Sequence, residues 1–179
     1  MTDILYRTGL VRADGDGRTV HGLGVPFNVV AEVDDGLGPY QERFEYGAFA
    51  RSIAERGHKV KLIANHDVRR FPVGRATSLE ERPDGLHVAF AVAATRDGDD
   101  VLELVRSQTV DAFSVGFSPR RERRDGDVTV RTEVALREVS LTAFPAYEGA
   151  AIAGVRSAHP TALSVDVARR RLDLTLRNW

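Results

Sequence analysis

"DAFSVGFSPR", residues 111–120, alternates small and large side chains in the pattern of a β-strand. Successive side chains of a strand point to opposite faces. One face therefore carries Phe113, Val115 and Phe117, and the other carries Ala112, Ser114, Gly116 and Ser118. The large residues can fill a core, whereas the small face leaves room for a peptide backbone beside Ser114. Pro119 and the arginine-rich run 120–127 predict the end of this strand.

Strand patterns recur on both sides of this stretch, and turn-forming residues separate them more often than helices do. The predicted strands cover 4–12, 18–25, 59–66, 72–80, 81–93 and 128–146, with a loop at 33–40 and helices at 46–57 and 97–110. This order favours a mostly antiparallel sheet or barrel with packed helices, an α+β fold, over a doubly wound fold.

The composition limits the class of protein. The 179 residues suffice for one domain with a real core, and 42% of them are hydrophobic. The net charge of −1 argues against a dedicated nucleic-acid binder, and the lack of cysteine excludes disulfides, thiolate zinc sites and cysteine nucleophiles. The first 30 residues lack a signal-peptide pattern, and no apolar run approaches the roughly 18 residues of a membrane span. We therefore expect no specific nucleic-acid partner and no membrane association.

A histidine stands where a predicted buried strand meets a turn, in "KLIANHDVRRFPVGRA" at 61–76. If the strand extends to His66, the ring shares an apolar face with Leu62 and Ala64. A partly desolvated imidazole at such a position can serve as a general base. The alternative is a hydrogen-bonded turn histidine without a catalytic role.

Two further polar residues lie in predicted strands. Ser114 is either a nucleophile or a small residue packed under a neighbouring strand, and its surroundings do not form the G-x-S-x-G turn of α/β-hydrolases. Glu138 interrupts the apolar run "VALREVSL" at 134–141, where a buried carboxylate needs a partner. That partner is either one of the many arginines or a histidine such as His66, which a carboxylate would orient.

A metal site is the weaker interpretation of the same region. The side chains that could bind a metal are His58, His66, His87 and Asp67. They lack the i, i+4 pairing of a zinc-binding helix, and metal phosphohydrolases place their His-Asp pair on a helix instead of at a strand end. We therefore expect neither a metal nor another cofactor.

An ordered series of motifs over roughly residues 20–153 resembles the prohead, or procapsid maturation, serine proteases of tailed bacteriophages. The series consists of "GLGVPFN", "ERFEYGAFARSI", "LIANHD" with "PVGRA", "DGLHVAFAV", "VLELVRSQTVDAFSVGF" and "LREVSLTAFPAYEGAAI". Each motif is weak alone, but the whole series in this order and spacing is specific.

The resemblance implies roles for the polar residues described above. His66 would be the base and Ser114 the nucleophile. The third member of the triad is expected in the strand that holds Glu138, with Asp111 and Asp67 as rival carboxylates. The resemblance also implies kinship with herpesvirus assemblin, whose fold is a closed, antiparallel-rich β-barrel ringed by helices.

A protein of this family would be a serine endopeptidase of head maturation. It would cleave the scaffold segment of the major capsid protein, and its own chain, inside the assembling procapsid in the host bacterial cytoplasm. We expect self-association, a protease domain at 1–155 and a tail at 156–179 that is helical, self-cleaved or scaffold-linked. The alternative function is a catalytically silent capsid-assembly module on the same barrel.

Overall fold

The computed structural model describes residues 5–10, 12–14, 17–34, 36 and 38–143, with side chains from residue 17 onward. The strands are β1 (Leu5–Leu10), β2 (Arg12–Asp14), β3 (Thr19–Pro26), β4 (Ala31–Asp34), β5 (Pro39–Phe44), β6 (Lys61–Ala64), β7 (Gly74–Arg82), β8 (Gly85–Val92), β9 (Ala112–Asp125) and β10 (Val128–Thr142). The helices are α1 (Ala50–Arg56), a 3-10 helix (Gly57–Lys59) and α2 (Arg96–Arg106). The predicted tail at 156–179 and the domain boundary at residue 155 lie outside the described residues.

The strands form one sheet. They pair in the order β1-β9-β10-β6-β7-β8-β3-β2, and β5, which itself pairs with β4, joins the sheet through β10. The pairs of β10 with β5 and with β6 are parallel. The remaining pairs of named strands are antiparallel. The predicted α+β class with a mostly antiparallel sheet is therefore confirmed.

The sheet is open, so the closed barrel implied by the resemblance is wrong. The paired order ends at β1 and β2, and no ladder joins these two strands within the described residues. Residue 11 alone separates them in the chain, whereas even a tight hairpin has two residues between its strands. β1 and β2 therefore pair with β9 and β3 instead of with each other. The two α-helices and the 3-10 helix of the described part are too few to ring the sheet.

The hairpin of β9 and β10 is longer than the sequence predicts, because Pro119 does not end β9. The strand continues to Asp125, and β10 begins at Val128. Pro119 pairs with Val134 next to a register shift between Glu133 and Val134. A bulge tolerates the missing N–H of a proline, so the strand passes through this position.

The observed bounds of the predicted loop and helices differ from the predicted bounds by a few residues. The loop predicted at 33–40 contains the end of β4 and the start of β5, and the Asp34 carboxylate accepts hydrogen bonds from Gly36 and Gly38 in the turn between them. Residues 46–49 form turns, so α1 begins only at Ala50. α2 ends at Arg106, shortly before Gln108 adopts a left-handed φ of 61°. Among the described helices, none is long and apolar enough to cross a membrane.

The large face of β9 lies in the core, as predicted. Phe113, Val115 and Phe117 are fully buried, and the ring of Phe117 lies 5.1 Å from that of Phe44 on β5. Burial of each such side chain contributes about 1.5–3 kcal/mol. This packing seats β9 against one edge of β10, while β6 occupies part of the other edge. β9, which carries Ser114, and β6, which precedes His66, therefore lie along opposite edges of β10.

Candidate active site

His66 lies in a tight turn at the end of β6. The strand ends at Ala64, and both Asn65 and His66 have positive φ angles, 48° and 55°. The Asp67 N–H donates to the Ala64 carbonyl at 3.0 Å, which closes a four-residue turn of type I′ character. The prediction that strand alternation aligns His66 with Leu62 is therefore wrong, because the strand stops two residues before the histidine.

The ring of His66 contacts Glu138 directly. Nδ1 of His66 lies 2.7 Å from Oε1 of Glu138. Glu138 is buried, with 6% exposure, and the His66 side chain is 21% exposed. This is the contact expected of a carboxylate that orients an imidazole. The rival Asp67 accepts a hydrogen bond from Arg69 at 3.0 Å, and the other rival, Asp111, lies just before β9.

Glu138 fits at this position because a glycine stands opposite it on β9. Gly116 pairs with Glu138 in the ladder of β9 and β10. A Cβ atom at Gly116 would lie 2.2 Å from Oε1 of Glu138, which is closer than non-bonded atoms approach. The sequence pattern shows Gly116 on the small face of β9 but assigns it no role, because the register that sets it under Glu138 cannot be read from the pattern.

The environment of Glu138 is unfavourable for a charge. Burial raises the pKa of its carboxyl above the ordinary value, while the hydrogen bond and charge of His66 act in the opposite direction. Within the described residues, Oε2 of Glu138 is buried without a hydrogen-bond partner. The ionised carboxylate therefore gains stability from positive charge on the His66 ring, which is the charge that a general base acquires.

Ser114 lies on β9 in register with Ser140 of β10, and it is 3% exposed. Opposite residues of an antiparallel pair share a face, as do residues two apart, so Ser114, Gly116, Glu138 and Ser140 lie on one face. Oγ of Ser140 accepts a hydrogen bond from the His66 N–H at 2.8 Å. The structure thus joins His66 to Glu138 and places Ser114 opposite a residue that touches His66.

The residues considered as metal ligands do not form one cluster. His66 contacts Glu138, while Nε2 of His87 lies 2.9 Å from Oδ1 of Asp84. His58 lies in the 3-10 helix. In the described part of the chain, no group of three or more His, Cys, Asp or Glu side chains could hold a metal ion.

The family model described as caudovirus prohead serine protease matches residues 10–163 of the chain. The chain belongs to this family. The resemblance inferred from the ordered motifs is therefore confirmed. The match of the prohead protease family includes both strands of the β9–β10 hairpin and the turn that holds His66.

One curated relative and one solved structure are similar to this chain. The prohead protease of Enterobacteria phage HK97 is 34% identical over 119 residues, which cover 62% of this chain and 51% of that protein. The chain thus spans about half the length of this curated relative. The structure of the bacteriophage T4 capsid assembly protease, gp21, has a TM-score of 0.60 at 10% identity and covers 80% of this chain and 99% of that chain. At this identity the T4 similarity shows a shared fold alone.

Proposed function

We propose that this member of the prohead protease family is a serine endopeptidase with Ser114 as nucleophile, His66 as general base and Glu138 as the orienting carboxylate. The observation that carries the proposal is the 2.7 Å contact between Nδ1 of His66 and Oε1 of Glu138. A structural role for Glu138 would be served better by an arginine, which neutralises a buried carboxylate permanently. A histidine partner instead suits a group that gains and loses a proton during each turnover.

The proposed reaction is acyl transfer in two steps. Oγ of Ser114 attacks a peptide carbonyl, and Nε2 of His66 takes the serine proton, because Nδ1 is engaged by Glu138. His66 then gives this proton to the leaving amine, and an acyl-enzyme remains on Ser114. Water, activated in turn by His66, hydrolyses this ester and regenerates the serine. Glu138 holds the ring in one tautomer and stabilises its transient positive charge.

The proposed substrates are the scaffold segment of the major capsid protein and the enzyme's own chain, cleaved inside the procapsid in the host cytoplasm. Support comes from the similar proteins, a prohead protease in phage HK97 and a capsid assembly protease in phage T4. Self-association, the protease domain at 1–155, the separate tail at 156–179 and the kinship with herpesvirus assemblin stay predictions.

The test is co-expression with the capsid gene of the same phage, followed by the intact mass of the capsid protein. We expect Ser114→Ala to abolish processing, since loss of a triad nucleophile lowers kcat by roughly 10⁶-fold. Alanine fits the small face of β9, so the variant should remain folded. Ser118→Ala is a matched control, because Ser118 is also buried on this face and its Oγ accepts a hydrogen bond from Nε of Arg137 at 3.1 Å.

Capsid cleavage by folded Ser114→Ala at the wild-type rate would overturn the assignment of the nucleophile. Labelling of the wild-type protein by a fluorophosphonate probe, and no labelling of Ser114→Ala, would separate an enzyme from the silent assembly module. A wild-type protein that assembles with capsid protein but neither cleaves nor labels would favour that module.

A further inference from the structure

We propose that Ser140 is a positioning residue that holds the backbone of His66 in the conformation that catalysis requires. The inference rests on the proposed function, because it concerns the same site. It adds a fourth side chain to that site. Ser140 would act through His66 and would not touch the substrate.

The contacts of Ser140 tie the turn of His66 to β10. Ser140 is fully buried. Its Oγ accepts a hydrogen bond from the His66 N–H at 2.8 Å and donates to the Ile63 carbonyl at 3.3 Å. The hydroxyl thus acts as both donor and acceptor, and its two shorter contacts go to the segment that carries the base, while the Leu141 carbonyl lies farther away at 3.5 Å. Because a partly buried backbone N–H loses stability when its acceptor is removed, the bond constrains the turn.

The backbone of His66 needs such support. Its φ of 55° lies in the left-handed region, which residues with a Cβ atom rarely adopt. Such conformations persist where surrounding contacts hold them. The neighbouring N–H groups donate to backbone carbonyls, Asn65 to Leu141 at 3.0 Å and Asp67 to Ala64 at 3.0 Å. Ser140 supplies the side-chain acceptor for the N–H between them.

Two residues of β10 therefore hold His66 at two points. Glu138 contacts the ring at 2.7 Å and Ser140 contacts the backbone at 2.8 Å. The two residues share a face of the strand, about 7 Å apart along it. One contact without the other would leave the ring free to pivot. Because Ser140 also pairs with Ser114 across the ladder, the same residue relates the base to the nucleophile.

The experiment compares two serine-to-alanine variants that remove the same kind of bond. Oγ of Ser52 accepts the Leu136 N–H at 2.8 Å, the distance at which Oγ of Ser140 accepts the His66 N–H, and both serines are buried. Both variants should lower Tm by several degrees, since each removes the serine hydroxyl that accepts a hydrogen bond from a backbone N–H. Only Ser140→Ala should lower kcat, by about 10²-fold with KM nearly unchanged, because misplacement of a catalytic group by 1 Å has an effect of that order. Equal kcat in Ser140→Ala and Ser52→Ala, measured on a peptide spanning the mapped capsid cleavage site, would overturn the proposal.

A second measurement does not depend on activity. In the Ser114→Ala background, NMR of histidine labelled with ¹⁵N reports the Nδ1–H proton of His66, assigned by its absence in His66→Gln. This signal should shift or broaden in Ser140→Ala and stay in place in Ser52→Ala. An unchanged signal in Ser140→Ala would show that Ser140 does not position the ring. If wild-type protein cleaves nothing, the proposed function fails, while the NMR comparison still decides the role of Ser140.

Discussion

Two buried carboxylates lie near opposite ends of β10, and they have different partners. Glu138, on β10 itself, contacts His66 at 2.7 Å. Glu42, on β5, is fully buried and accepts a hydrogen bond from Nε of Arg131 on β10 at 2.6 Å. Both are acids removed from water, where an isolated charge is very unfavourable. One of these carboxylates serves the fold, and the other lies in the candidate active site.

The pair at Glu42 is completed by further groups. Nη2 of Arg131 donates to the Tyr40 hydroxyl at 3.0 Å, and Nη1 pairs with Glu122. The guanidinium carbon lies 5.9 Å from the centre of the Phe117 ring. Burial alone would lower the pKa of Arg131, but Glu42, Tyr40 and Glu122 together raise it. The arginine therefore stays charged and gives Glu42 a permanent cationic partner.

The pair at Glu138 has no such completion. Its partner is a histidine that can lose its charge, and Oε2 of Glu138 has no hydrogen-bond partner within the described residues. The two ends of β10 therefore differ in role: one stabilises the pairing of strands and the other holds the candidate catalytic residues. A permanent cation holds β5 to β10, whereas a titratable partner leaves Glu138 incompletely stabilised and able to respond to a proton on His66.

Of the variants that test this comparison, the one that removes the charge of Glu138 should have the largest effect, a loss of activity. Glu138→Gln should keep the fold but lower kcat by about 10⁴-fold, since an amide neither fixes the productive tautomer nor stabilises the protonated ring. This loss is smaller than that expected for Ser114→Ala. Single-turnover cleavage of a peptide from the capsid processing site measures it. Glu42→Gln is the control. The folded fraction of this variant should cleave at the wild-type rate, because Glu42 lies outside the candidate active site. Near wild-type activity in Glu138→Gln would show that Glu138 is not the carboxylate that orients His66.

The second prediction concerns the stability of the fold when the pair of Glu42 and Arg131 is broken. Arg131→Met should lower the free energy of unfolding by about 3–5 kcal/mol, because it leaves Glu42 buried without its cation. His66→Ala should lower it less, since Glu138 is already poorly compensated. Urea denaturation followed by circular dichroism compares the two variants. The double variant Arg131→Met with Glu42→Leu should recover most of the loss. If His66→Ala is as destabilising as Arg131→Met, the two pairs do not differ as described.

The smallest effect is a difference in the pH dependence of stability between wild type and Glu138→Gln. Burial raises the folded-state pKa of Glu138, so the native state binds its proton more tightly than the unfolded state does. Stability therefore falls as pH rises from the unfolded value, near 4.3, through the folded value, by at most about 1.4 kcal/mol per pH unit. The variant should lack this decline. The pKa of Glu81 is also raised by burial, but Glu81 is present in both proteins and cancels in the comparison. Parallel stability curves between pH 4 and 7 would contradict the prediction.

Much of the candidate site could be predicted from local patterns. The alternation of small and large residues around Ser114 predicts that it lies on the face of β9 opposite the phenylalanines, and the strand observed at Ala112–Asp125 gives this alternation, with both faces buried around Ser114. A glutamate within an apolar run indicates a buried acid in need of a partner, and Glu138 is buried. Such predictions succeed because the side chains of a strand alternate with a period of two residues, whatever the strand pairs with. The alternation pattern does not predict that β9 passes through Pro119, because this depends on a register shift in its pairing with β10, where Arg120 of β9 is the extra residue.

The partner of Glu138, in contrast, was decided by contacts far apart in the chain. His66 and Glu138 are 72 residues apart in sequence, and they meet because β6 pairs with β10 in parallel. The register shift between Leu136 and Glu138 sets Glu138 opposite Gly116. Arg137 is the extra residue of this shift. If the ladder continued without the shift, Arg137 would lie opposite Gly116 and Glu138 would point to the other face, because a slip of one residue reverses every side chain of a strand. The pattern of residues thus determined which side chains were available, and the pairing and bulge of β10 decided which of them met.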